Sequence, residues 1–414
     1  MRKPLSFVVS LIFFVLTATP TFAAPAPGTR IKLGCPAKAD VNDPCKAVYF
    51  YGSDGKRHAF PNEHVYFSWY ADFAGVQTVS SSFLAAIPLG SNVTYRPGIK
   101  MVKFTTLPKT YAVDVGGTLR WVTNEQAAVA LYGADWNKKI DDVSDVFFGD
   151  YRYGTDVTSL ADFDPPTAAA YAPTIDQNLD STFRTLTVST SRGTFTADTV
   201  TLLKDRFTMH TATGNGADCS NNCIAKTLKA YATAAGATIG IHGTYFCPPD
   251  YSDCAAKINT FLSPVYDSTT KTMVNAGSLA VHEGPMLVTT SDGTYSFYHR
   301  TKDYHSDGTI SAAIANYPSL IENGVSVVAN EARLAETNPT VKSSRGGIGY
   351  NDKFVFLVIA KQANVEDLAA IMQTLHATNA MNLDGGGSTA LLYDGTYMDG
   401  PGRELPNAIL FSKK

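Results

Sequence analysis

Asn382-Leu383-Asp384-Gly385-Gly386-Gly387-Ser388-Thr389 follows an apolar, strand-like segment and closes on two hydroxyl side chains. Each glycine loses more backbone freedom on folding than any other residue, so three in a row mark a sharp turn or a close approach of backbone to a ligand. A carboxylate at a strand end, beside bare backbone amides, suits catalysis or anion binding. A plain glycine turn between two strands is the competing reading.

Working outward, residues 380–384 read as a strand, and residues 354–360 as another. Between them Asn364 caps a helix over 365–376, with Asp367 placed for a capping box. A similar plan stands upstream. Asn221 or Asn222 caps a helix running to about Ala235 and closed by Gly236. A buried strand over 237–242 then ends in Gly243-Thr244-Tyr245-Phe246. One copy presents His242 and the other Asp384. If both strands lie in one sheet, both loops fall at the same edge. Residues 183–189, 195–203 and 406–411 add further strands. The expectation is an α+β fold: a mixed β-sheet domain with flanking helices over 183–414.

Residues 48–157 contain a duplication. Tyr49 to Glu63 reads as strand, turn at Asp54-Gly55, strand, then Asn62-Glu63. Tyr111 to Glu125 repeats that plan, with the turn at Gly116-Gly117 and then Asn124-Glu125. Ala71-Asp72-Phe73 matches Ala134-Asp135-Trp136, and residues 93–109 link the copies. This predicts a small β-rich duplicated module over 28–160, similar to modules of exported bacterial proteins. No catalytic set clusters in it, so it reads as a binding or scaffolding element, either an anchor at the cell wall or a packing platform. Asp164-Pro165-Pro166 and the alanines after it read as a linker over 161–182.

Arg2 and Lys3, an apolar run from Leu5 to Leu16, and Thr21-Phe22-Ala23 form an export signal cleaved after Ala23. That run is too short to span a bilayer, and no later segment is apolar for long enough, so a secreted or extracellular chain is expected, periplasmic and wall-associated sites included. The six cysteines fit an oxidising compartment. Cys35 and Cys45 are expected to close a small loop. Cys219, Cys223, Cys247 and Cys254 allow three pairings, with a zinc site as the rival; their spacings are not those of paired zinc knuckles. A net charge of -3 gives no push toward nucleic acid or an anionic membrane.

Four motifs together resemble the phosphodiester glycosidase family, whose members include an N-acetylglucosamine-1-phosphodiester alpha-N-acetylglucosaminidase. Residues 240–246 resemble its strand ending in Asn-Gly-x-aromatic-Phe. His282-Glu283-Gly284-Pro285-Met286-Leu287-Val288 resembles its central Gly-Pro segment. Ser344-Arg345-Gly346-Gly347-Ile348-Gly349 resembles its Arg-x-x-Ile-Gly motif, and residues 382–389 its Asn-Leu-Asp-Gly-Gly-Gly-Ser signature. One departure stands out: the family usually has Asn where this chain has His242. A neutral imidazole offers the same single donor and acceptor, but it also titrates near about pH 6.5.

The resemblance implies a glycosidase acting on sugar-1-phosphodiesters in surface or cell-wall glycoconjugates. A wall- or carbohydrate-binding protein with a degenerate glycosidase domain is the alternative. Phosphate leaves far more readily than a sugar hydroxyl, so little general-acid help is needed. Arg345 suits the departing phosphate through its planar fork. Asp384 suits the role of base or nucleophile, with Glu283 as second carboxylate and His242 beside them. Tyr245, Asn382, Gly385, Gly386, Gly387, Ser388 and Thr389 are expected to bind substrate. No cofactor is implied. Asp384, Asn382 and Glu283 are hard oxygen ligands for a divalent cation such as calcium, but the loop lacks the alternating acids of a calcium loop. A P-loop is excluded for want of its lysine and spacing, and there is no Gly-x-Ser-x-Gly elbow.

Overall fold

The computed structural model describes residues 25–306, 308–331 and 341–414. The export signal read over 1–23 lies outside them.

The α+β class holds, and its framework is antiparallel. Every strand pairing described after residue 180 runs antiparallel, so three antiparallel sheets stand where one mixed sheet was expected. The first has seven strands, with Ser343–Tyr350 between Phe354–Ala363 and Asn379–Gly385. The second has five, with Ile239–His242 between Asn407–Lys413 and Leu391–Tyr393. The third, also five-stranded, has Ile310–Ala315 at its centre.

Alternation along the strands sets their packing. In Phe354–Ala363, Val355, Leu357 and Ile359 turn into a core shared with Ile241, Leu391 and Ile409 of the second sheet and Val265, Leu287 and Ile314 of the third. Phe356, Val358 and Ala360 turn the other way, onto the helix Val365–Thr374 through Leu368, Ile371 and Met372. Burial on both faces accounts for the unbroken apolar run of this strand. The second sheet is covered likewise: Leu392, Ala408 and Leu410 pack on Leu228, Tyr231 and Ala232 of the helix Leu228–Ala234.

The helix at 365 has the capping box expected of it: Asn364 accepts from the Asp367 amide at 2.9 Å, and Asp367 accepts from the Asn364 amide at 3.1 Å. Asn364→Ala should cost about 1–2 kcal/mol, read as a drop in urea midpoint at constant slope. The earlier helix begins later than expected, at Leu228 with Thr227 as its cap. Asn221 is instead occupied by the amide of Ile258 at 2.8 Å, and Cys219 is bonded to Cys223.

Before residue 160 two sheets share one plan. Thr29–Leu33 pairs antiparallel with Val48–Tyr51 and parallel with Val76–Val79. Met101–Phe104 pairs antiparallel with Thr110–Asp114 and parallel with Ile140–Val143. The stretch 93–109, read as a link, thus contains a central strand of the second sheet. The stretch 161–182, read as a linker, is folded and docked. Pro165–Tyr171 is helical, Ile175 is buried, and Asp176 accepts from the Ser53 amide at 2.8 Å. Asn178 accepts from the Gly116 amide at 2.7 Å, and Lys353 reaches Asp114 at 2.6 Å, so side chains join the two regions.

Candidate active site

His242 and Asp384 lie on different sheets, not on one as the shared plan implied, yet their loops meet. The Asp384 amide donates to the Gly243 carbonyl at 3.0 Å. The fully buried His242 holds the junction: Nε2 donates to the Asp384 carbonyl at 2.8 Å, and Nδ1 accepts from the Ala390 amide at 3.2 Å. Both nitrogens are thus engaged by main chain, one as donor and one as acceptor. Gly346 permits this, since a Cβ there would lie 2.1 Å from Nε2.

Arg345 pairs across the ladder with Gly385, so the arginine stands one strand away from Asp384. It is buried. One guanidinium nitrogen, Nη2, donates to the Val341 carbonyl at 3.1 Å, while Nε has no partner among the described residues. The Asp384 carboxylate is held by the Gly385 amide at 2.8 Å and by the Ser388 side chain. Burial nevertheless pushes it above the ordinary aspartate range, against the pull of the Ser388 side chain and of the Gly385 amide. The Gly385 amide is therefore spent on Asp384 itself. Gly386 has φ +57°, where glycine is favoured, and at Gly387 a Cβ would meet the Arg403 guanidinium at 2.6 Å.

Tyr245 and Asn382 complete the cluster. Asn382 Nδ2 donates to the Tyr245 hydroxyl at 2.7 Å and to the Tyr317 carbonyl at 3.1 Å. Burial first, and then the Asp384 charge, push the Tyr245 phenol well up, so it stays protonated. Asn382 Oδ1 and Thr389 Oγ1, like Arg345 Nε, are buried and unpaired among the described residues. Ser388 is buried against the loop.

Glu283 is not brought in. It is exposed, and no hydrogen bond or ion pair joins it to Asp384 or Arg345 among the described residues. No group of three or more His, Cys, Asp or Glu side chains suited to a metal occurs among them either. The cysteines pair as Cys35–Cys45, Cys219–Cys223 and Cys247–Cys254. Sequence reasoning missed two buried asparagines. Asn316 accepts from the Tyr245 amide at 3.2 Å and donates to the Asn382 carbonyl at 3.0 Å. Asn407 accepts from the Thr244 amide at 2.9 Å and donates to the Thr244 hydroxyl at 2.9 Å. Both precede or open apolar strands, and nothing in their local sequence signals so distant a partner.

An antiparallel sandwich with an arginine and a desolvated carboxylate on neighbouring strand ends is a framework for handling an anionic substrate. Residues 252–412 match the family model described as phosphodiester glycosidase, and the resemblance is shown over that stretch. Three of the four motifs fall inside it; the motif bearing His242 and Tyr245 lies just before it.

Solved structures resemble the chain distantly. One is a hypothetical protein from Synechocystis: 15% identity, 57% of this chain and 62% of that one, TM-score 0.42. Another is the catalytic domain of zebrafish N-acetylglucosamine-1-phosphodiester alpha-N-acetylglucosaminidase, auto-inhibited by its pro-peptide: 15% identity, 56% of this chain and 83% of that one, TM-score 0.45. A third is an exported protein from Burkholderia pseudomallei: 12% identity, 53% and 74%, TM-score 0.34. The chain thus spans less than two thirds of the Synechocystis protein. No curated protein matches its sequence.

Proposed function

We propose that the protein is a secreted glycosidase that hydrolyses sugar-1-phosphodiester linkages in surface or cell-wall glycoconjugates. The observation that carries this reading is the pairing of Arg345 with Gly385, the residue after Asp384, with the charges of Arg345 and Asp384 both felt at the Tyr245 phenol. Water attacks the anomeric carbon and gives its proton to Asp384. The bond from that carbon to the phosphate oxygen breaks, and the phosphomonoester departs with the bonding pair. Burial makes Asp384 a better base than a solvated aspartate. Arg345 Nε has no acceptor among the described residues, and a phosphate oxygen would supply one. His242 acts as a positioning residue, fixing the Asp384 main chain from the opposite sheet. No step needs a metal or cofactor. Export agrees with the N-terminal signal and with three disulfides. The shared plan of the two N-terminal sheets agrees with a duplicated module.

Arg345→Ala should lower kcat/KM for an N-acetylglucosamine-1-phosphodiester about 10²–10³-fold, the usual loss when a preorganised donor to a developing anion is removed. Arg345→Lys should recover only part of it, because an ammonium lacks the planar fork. Sugar release at the wild-type rate from a folded Arg345→Ala protein would refute the assignment.

A further inference from the structure

A second cavity, of about 220 Å³, opens beside this cluster. Tyr245 and Tyr317 form its wall on the side of Asn382, and Phe246, Phe261 and Leu262 line the rest. Its wall adjoins the catalytic cluster, because Asn382 donates to the Tyr245 hydroxyl and to the Tyr317 carbonyl.

The polar side chains Ser263, His282 and Thr260 are committed to the protein. His282 Nε2 donates to the Ser263 hydroxyl at 3.0 Å, and its Nδ1 accepts from the Gly284 amide at 3.1 Å. The Thr260 hydroxyl donates to the Lys257 carbonyl at 2.7 Å. A sugar ring placed here would lose water from its hydroxyls and find few partners for them. An apolar group loses nothing of that kind and gains the aromatic walls. The apolar surface also continues outward: Leu262 is 76% exposed at the mouth, where burial against a ligand would be favourable. Lys257, exposed beside it, places a positive charge where a phosphate would enter.

We infer that this cavity receives the aglycone of the phosphodiester, and that the aglycone is apolar, of alkyl or aryl class. The inference rests on the phosphodiester glycosidase reading of the neighbouring cluster. Its chemical content is separate: the group beyond the phosphate is bound by hydrophobic contact, not by hydroxyl recognition.

The test uses the full exported chain and two diesters of N-acetylglucosamine 1-phosphate, methyl and octyl. The octyl diester should show a kcat/KM about tenfold or more above the methyl diester. Leu262→Asp, at an exposed position that folding does not depend on, should cut the octyl rate at least about fivefold more than the methyl rate; Thr260→Trp, which fills the cavity, should do the same. A second measurement is calorimetric binding of octyl phosphate against methyl phosphate. Equal rates for the two diesters, or equal binding of the two phosphates, would overturn the inference. Tighter octyl phosphate binding that Leu262→Asp weakens, with neither diester hydrolysed, would uphold the apolar cavity and overturn the catalytic reading alone.

Discussion

Replacing Asp384 by Asn should stop sugar release, a loss of about 10²–10⁴-fold in kcat, and should leave the protein at least as stable as the parent at neutral pH. The two halves of this result share one cause. Burial raises the carboxyl's folded-state pKa above its unfolded value. Between those two values the folded chain keeps a proton that the unfolded chain has lost, so stability falls as pH rises through the window. Above the folded-state value the deficit is complete and no longer changes with pH. Asparagine removes it and retains an oxygen for the Gly385 amide. The Tm gain of the variant should therefore be larger at pH 7 than at about pH 3, below the ordinary aspartate value. The same shift fixes the acidic limb of kcat/KM, which should lie above the usual aspartate range. A Tm that falls at pH 7, with sugar release intact, would remove Asp384 from the reaction.

Gly346→Ala should be a severely damaging single methyl for the candidate site. The added carbon would lie 2.1 Å from His242 Nε2 and 2.3 Å from its Cε1. The ring cannot yield without breaking two buried hydrogen bonds to main chain. Overpacking costs about 1–3 kcal/mol, and a buried polar group left unpaired costs about as much again, so a loss of about 3–5 kcal/mol is expected from chemical denaturation. His242→Ala should relieve part of it, making the double variant more stable than the sum of the singles requires. A Gly346→Ala protein within about 0.5 kcal/mol of the parent would contradict the packing of the imidazole between the sheets.

How far the sequence foretold this depends on the range of each interaction. The capping box at Asn364 and Asp367 was legible because its partners are three residues apart. The strand Phe354–Ala363 was legible because burial on both faces writes an apolar run. The glycine signature pointed to Asp384 and the family resemblance to Arg345, whose strands do pair. The assignment of both glycine loops to one sheet failed, since local patterns do not say which strands will be neighbours. Glu283 was a plausible second carboxylate by motif alone, and its exposure is a tertiary fact. Asn316 and Asn407 were invisible for the same reason: each serves main chain far away in sequence. The helix expected from Asn221 or Asn222 was shortened by a small disulfide loop between Cys219 and Cys223 that hydrophobic periodicity does not register.

Two of the cross-links bear on how the protein must be made. Cys223 donates its amide to the Ile258 carbonyl at 3.0 Å, and Cys247 donates to the Thr260 carbonyl at 2.9 Å, so both bridges brace the one stretch that carries Phe261 and Leu262. The sheets themselves close over side chains that include no cysteine. Redox history thus divides the molecule. A chain produced under reducing conditions would keep its sheets and the pairing of its arginine and aspartate strands but lose the clasp on that stretch, which only an oxidising environment sets.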